Sequence, residues 1–366
     1  MNNPMAFVFL STVISGGALI ACGDSASDSE NNESAGGSTA SSQGGANGDT
    51  SSNQGDSSET VEPSGGTTGD QDGPGPRRVV GYLPTYRSLS PAGIDFDTLT
   101  HLCLAFANPT GNGSESDFEE SARSQIGPLV EAAHAKGVKV LASIAGGSQK
   151  SGDLVGAQLT PDKVDAYVAS LVQLLTRYDL DGIDNDIEGD AVNQNYETFV
   201  IKLRAALPGD TLLTAAVATK NGDPVSDAAL AEYDFLNIMA YDHCSWTDEA
   251  CDQASIEGVR EDLEYWTVTR GYPRRKAVLG VPFYGWCWGC SDKQSAITYG
   301  QVLSSYPQAK TEDWIVNGNV TISLNSAATI AKKAQLGHEY GGLMIWELGQ
   351  DASGDDSLMK VVADAQ

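Results

Sequence analysis

The sequence predicts a (β/α)8 TIM barrel without a large insertion domain, preceded by a disordered linker, and three observations carry that expectation. From Arg77 to Gln366 short β-rich runs alternate with amphipathic helices, and eight such runs fit in about 290 residues, more strands than an open sheet usually holds. The chain before Arg77 is nearly devoid of apolar residues once its first 21 are passed. One strand carries acidic residues at alternate positions, a pattern that an ordinary strand would not tolerate.

Residues Phe7 to Ala21 form an apolar run too short to span a bilayer, ending in Leu19-Ile20-Ala21-Cys22-Gly23. This reads as a lipoprotein signal peptide over 1–21, with Cys22 left as an acylated N-terminus. An ordinary secretory signal with an incidental cysteine is the alternative. The expected location is therefore outside the cytoplasm: anchored by lipid to a bacterial outer membrane or cell surface, or released from it.

Residues 22–76 form the linker. From Gly23 to Pro76 the chain is mainly Ser, Gly, Asn, Thr, Asp and Glu with no Lys or Arg. Such a segment buries too little surface to offset its ordering entropy. As a flexible coil it spans about 40 Å. The formal net charge of −27 excludes a nucleic-acid role, because nothing basic is there to meet phosphates.

Residues 77–366 form the barrel domain, with strands beginning near Val79, Leu99, Val138, Gly182, Leu212, Phe235, Ala277 and Gly342. One helix is well signalled, with Thr160 as N-cap, Pro161 in the first turn, and Val164, Tyr167, Val168, Leu171 and Leu175 on one stripe. It leads to the fourth strand, Asp181-Gly182-Ile183-Asp184-Asn185-Asp186-Ile187-Glu188. A period of two points Asp184, Asp186 and Glu188 to one face and Ile183 and Ile187 to the other. Carboxylates so crowded cannot all ionise easily, so a proton is retained near neutral pH and can be donated.

Two other readings compete for this stretch. Asp184-x-Asp186-x-Glu188-Gly189 supplies the first half of a calcium loop, but the twelfth position is Asn195 where a Glu is needed. A solvated acidic turn conflicts with the apolar Leu180, Ile183 and Ile187. No metal or organic cofactor is expected, since the four His residues form no ligand pattern.

In such barrels the site lies at the C-terminal strand ends. Glu188 falls there, with Asp186 and Asp184 progressively deeper. The second strand ends at Phe106, the third at Ser143 and Gly146, and the sixth at Met239-Ala240-Tyr241-Asp242. The seventh ends at Phe283-Tyr284-Gly285-Trp286 and the eighth at Trp346-Glu347. Aromatics converging on one barrel face suit stacking against sugar rings.

Of the cysteines past Cys22, Cys103 sits in an apolar run and reads as a buried small hydrophobe. The remaining four allow three pairings; local bridges Cys244–Cys251 and Cys287–Cys290 are expected in an exported chain, with a four-cysteine zinc site as the alternative.

These motifs resemble glycoside hydrolase family 18, the chitinase family. Its DGxDxDxE signature is intact at Asp181 to Glu188 and its MxYD motif at Met239 to Asp242. Val79 to Tyr82 resembles its first strand, Leu99 to Ala107 its second, Gly280 to Gly285 its seventh and Gly341 to Asp351 its eighth. The SxGG of its third strand reads Ser143-Ile144-Ala145-Gly146-Gly147, with an alanine where a glycine is expected. The aromatic pair that often flanks the catalytic glutamate is replaced by Ile187 and Gly189. Some fifty residues between the seventh and eighth strands are too few for the large α+β insertion of deep-cleft members, so an open groove is implied.

The resemblance implies substrate-assisted retaining hydrolysis. Glu188 is then the acid, Asp186 orients the substrate's acetamido group, Asp184 shares a proton with Asp186, and Tyr241 holds the acetamido oxygen. Trp346 floors that subsite, and Tyr82, Phe106, Ser143, Gly146, Met239, Asp242 and Tyr284 line the substrate pocket. The implied partner is chitin or another N-acetylglucosamine-containing oligosaccharide, taken by a monomer held to the membrane only through its lipid anchor. Three functions share this scaffold: a chitinase, an endo-β-N-acetylglucosaminidase acting on N-glycans, and an inactive carbohydrate-binding lectin. Intact Glu188, Asp186 and Tyr241 argue against the lectin.

Overall fold

The computed structural model describes residues 77–366 except Ser88, Leu89, Gly111, Asn112, Asp223, Ser245, Trp246, Asp292 and Lys293. The expected signal peptide, Cys22 and the linker lie outside the described residues.

Eight parallel strands close a barrel: Arg78–Pro84, His101–Ala105, Lys139–Ala145, Gly182–Asp186, Leu212–Val217, Phe235–Ile238, Ala277–Pro282 and Gly342–Trp346. Each begins within two residues of its predicted start. The ring closes where the first strand pairs the eighth, Val79 opposite Leu343, and the second, Leu83 opposite Leu104. Strands buried on both faces read as near-continuous apolar runs, which is why their starts are legible in sequence.

Two apolar layers result. Inside the ring Val80, Tyr82, Cys103, Leu141, Phe235, Val278 and Met344 pack together. Outside it the alternate strand residues, including Leu102, Leu104, Val140, Ile183 and Leu213, pack on the helices. Cys103 is a buried free thiol, as its apolar surroundings predict.

The well-signalled helix runs Val164–Tyr178 and buries Val164, Tyr167, Val168, Leu171 and Leu175, but its N-cap is Lys163 rather than Thr160. Residues 161–163 form a turn first, in which the Thr160 carbonyl accepts from the amides of Lys163 and Val164, both at 2.9 Å. Thr160 thus begins the winding with its backbone and not as a side-chain cap. Asp179 ends the helix in the left-handed conformation, φ 56°.

The stretch expected as one seventh strand divides. Ala277–Pro282 stays in the barrel, whereas Tyr284–Trp288 opens a separate antiparallel sheet with Ser295–Thr298, Trp314–Asn317 and Val320–Ser323. The insertion between the seventh and eighth strands is therefore small but structured. Tyr284 and Trp286 belong to it and not to a barrel strand end. Phe283, fully buried, turns the chain from one sheet to the other.

Both expected disulfides are present, Cys244–Cys251 with Cα atoms 6.3 Å apart and Cys287–Cys290 with 5.8 Å. The first closes the loop after the sixth strand, and the second ties Cys287, within the first strand of the added sheet, to Cys290 just past its end.

Candidate active site

The fourth strand, Gly182–Asp186, directs Asp184 and Asp186 into the ring, and Glu188 follows two residues beyond its end. Asp184 is fully buried and held by four donors. Its Oδ2 accepts from Tyr82 Oη at 2.8 Å and Ser143 Oγ at 2.7 Å, and its Oδ1 from Thr214 Oγ1 at 2.6 Å and Asn237 Nδ2 at 3.3 Å. Burial raises its pKa and these four bonds oppose the rise. Protonating Asp184 would force one hydroxyl to turn round and lose its acceptor. No hydrogen bond joins it to Asp186 among the described residues.

Asp186 differs. It is buried, and its Oδ1 has no hydrogen-bond partner. Burial first, then the charges of Glu188 and Asp184, raise its pKa well above the carboxylate range. Glu188 is pushed up to about 7 by burial; Lys220 lowers it and Asp242 raises it. The face therefore has a fully hydrogen-bonded carboxyl at its base and, above it, Asp186 and Glu188, whose pKa values burial pushes upward.

Two residues expected against substrate donate to Asp184. Tyr82 is 1% exposed and spends its hydroxyl on Asp184, while also accepting from Asn237 Nδ2 at 3.0 Å. Ser143 is buried completely and donates to the same oxygen. Their hydroxyls are unavailable because a buried carboxylate must be paired, and these are the nearest donors. Thr214 and Asn237 complete the set and were not singled out from sequence. The signal was there: each is a lone polar residue in an apolar strand, and Thr214 stands directly opposite Asp184 in the ladder.

Aromatic walls rise around the carboxyls. The partly exposed Trp346 meets Tyr82 at a ring distance of 5.6 Å and stacks on Phe106 at 6.0 Å with the ring planes 28° apart. Immediately after it, buried Glu347 pairs with Arg87 at 2.7 Å and accepts from the Gly349 amide at 2.7 Å, which anchors the eighth strand end to the loop after the first. Gly146 has φ 89°, and a Cβ there would meet the Phe106 ring at 2.6 Å, so only glycine lets that ring lie flat on the loop. Met239 packs against the barrel interior, and Tyr241 stands edge-on to Tyr284 at 6.3 Å.

Asp242 takes φ 60° and its Oδ1 accepts from Tyr284 Oη and Trp286 Nε1, both at 2.6 Å. Tyr284 therefore acts on Asp242 from the added sheet. Ala145 also lies in the left-handed region, φ 70°, where a non-glycine residue costs about 1–2 kcal/mol. Asn108 holds it on both sides, accepting from Ala145 N at 2.7 Å and donating to Ala145 O at 3.0 Å. The alanine in place of a glycine thus leaves the turn intact. Among the described residues no cluster of His, Cys, Asp or Glu is arranged to hold a metal ion.

A closed parallel barrel with carboxyls stacked at its mouth beneath aromatic walls places the chain in the (β/α)8 barrel class. The Glycosyl hydrolases family 18 profile matches residues 78–351, and the chain belongs to that family. It is similar to a solved chitinase of this family from the chitin utilization locus of Flavobacterium johnsoniae, at 32% identity and TM-score 0.72 over 80% of this chain and 94% of that one. A chitinase structure from Bacteroides thetaiotaomicron matches at 28% identity and TM-score 0.70, covering 79% of this chain and 96% of that one. A chitinase-like effector of Moniliophthora roreri is 28% identical over 58% of this chain and 59% of its own length. A class V chitinase of Arabidopsis thaliana is 24% identical over 70% of this chain and 82% of its own length.

Proposed function

We propose that the protein is a chitinase that cleaves β-1,4-linked N-acetylglucosamine polymers by a substrate-assisted retaining mechanism. The observation that carries this reading is Asp186 Oδ1, a buried acceptor with no partner, placed between a satisfied Asp184 and a Glu188 pushed up to about 7. A buried acceptor left open is costly unless a ligand fills it, and an acetamido N–H is the donor that a chitin unit offers.

Glu188 gives its proton to the glycosidic oxygen as the bond to the anomeric carbon breaks. The substrate's acetamido carbonyl oxygen attacks that carbon and forms an oxazolinium ion, with its N–H held by Asp186 and its oxygen by Tyr241. Trp346 provides the apolar floor. Water then attacks the anomeric carbon from the face the leaving group left, giving up a proton to Glu188 as the bond to the acetamido oxygen breaks, so the acetamido group is restored and the β-configuration returns.

The experiment is a direct comparison. The purified protein is incubated separately with chitin oligosaccharides and with a high-mannose glycoprotein, and products are identified by mass. Shortened N-acetylglucosamine oligomers are expected. Release of glycans alone would assign an endo-β-N-acetylglucosaminidase, and binding of oligomers without cleavage a lectin; either result overturns the proposal.

The acidity of Glu188 sets a pH dependence with a definite sign. An acid works only while protonated, so kcat/KM should fall as pH rises through about 7. Lys220 holds that value down, and Lys220→Met should move the alkaline limb upward by about half a pH unit, a small effect because the lysine is exposed. A downward shift would show that Lys220 does not act on Glu188 through its charge.

A further inference from the structure

Gln253 is completely buried, and every polar group on it is used within one small region. Its side-chain Oε1 accepts from the Asp242 amide at 3.2 Å, and its Nε2 donates to the Tyr284 carbonyl at 3.1 Å. Its own carbonyl accepts from the His243 amide at 3.0 Å, and its amide donates to Ser323 Oγ at 3.2 Å. One amide side chain thus bridges the backbone of Asp242 and the backbone of Tyr284, whose hydroxyl in turn caps the Asp242 carboxyl at 2.6 Å. The ring of contacts is closed.

The segment that carries Gln253 is itself fixed. Lys333, with no exposed surface, donates from Nζ to Ala254 O and to Asn325 Oδ1, each at 2.6 Å. Asn325 Nδ2 reaches the same Ala254 carbonyl at 3.2 Å. The Cys244–Cys251 bridge turns the chain back so that residue 253 returns beside residue 242. Asp242 needs such support because its backbone is left-handed, φ 60°, as is that of Ala145, which an amide side chain, Asn108, also holds, there on both its N–H and its carbonyl.

We propose that Gln253 is a positioning residue that locks the Asp242 backbone in its left-handed conformation and so fixes the Asp242 carboxyl against the added sheet. This rests on the reading of Glu188 as the acid. Without the clamp, Asp242 can relax to a right-handed backbone and swing its carboxyl away from Glu188. The charged and titratable groups that act on Glu188 are Asp186, Lys220 and Asp242, and those that act on Asp242 include Lys220 and His243. Removing Asp242 from that set takes away a negative neighbour, so Glu188 should give up its proton at lower pH.

The test uses the full chain with Gln253→Met, which keeps length and volume but has no amide, and Gln253→Asn, which is too short to bridge both backbones. Each should lower kcat about tenfold on a chromogenic N-acetylchitobioside and move the alkaline limb of kcat/KM down by about half a pH unit. The 13C carboxyl titration of Glu188 should move by the same amount. Ser323→Ala, which removes only a backbone partner of Gln253, should lower Tm without moving either midpoint. The proposal falls if the Gln253 variants lose Tm but keep both midpoints, if Ser323→Ala moves them equally, or if neither variant folds. Absence of turnover in the unaltered protein would overturn the chitinase reading alone, because the Glu188 titration still decides what Gln253 does.

Discussion

Glu188→Gln should lower turnover roughly 10²–10⁴-fold while oligosaccharide affinity changes little, because the amide keeps the shape of the side chain and loses only its proton. The expectation follows from the place of Glu188 just past the fourth strand, where burial pushes it up to about 7. Turnover measured at saturating substrate, with affinity measured by titration calorimetry, separates the two effects. Retention of more than about half the activity would mean that another group supplies the proton.

Asp186→Asn is expected to have the next largest effect, about a hundredfold loss in kcat, since Asn can offer an N–H where the acetamido N–H needs an acceptor. Azide should not restore activity if, as proposed, the substrate and not the protein provides the nucleophile. For the same reason a substrate whose cleavage-site sugar carries a free amine should be nearly inert, and NMR of the first product should show the β-anomer. An α-anomer, or cleavage of fully deacetylated polymer at a comparable rate, would rule out acetamido participation.

The barrel was legible because its strands are continuous apolar runs separated by helices, and the carboxyl face because a period of two is unambiguous around Asp184, Asp186 and Glu188. What sequence did not reveal depends on contacts between distant segments. Tyr284 read as the end of a barrel strand, yet it starts a new sheet, since Gly285 and its neighbours pair with 295–298 and 321–323 and not with the barrel. Thr160 read as a cap but contributes only its carbonyl. That Tyr82 and Ser143 donate to Asp184 was not legible, because the demand of a buried carboxylate for donors appears only once five strands are brought together. Gln253 lies in a loop with no motif, and its role exists only through a turn of chain that the Cys244–Cys251 bridge closes.

The four donors to Asp184 come from the first, third, fifth and sixth strands, at sequence separations of 102, 41, 30 and 53 residues. Bringing such distant segments together is slow beside the coiling of a helix, since the entropy of closing long loops is lost before any contact compensates it. The hub is complete only when the first six strands are in place. A chain with its helices formed and its ring open leaves Asp184 hydrated and Asp186 unburied, and Glu188 then has the acidity of any surface glutamate. Acid strength is thus a property of the closed ring and not of the strand that bears the carboxyls, so that during refolding the recovery of catalysis counts finished barrels and lags behind the return of helical signal.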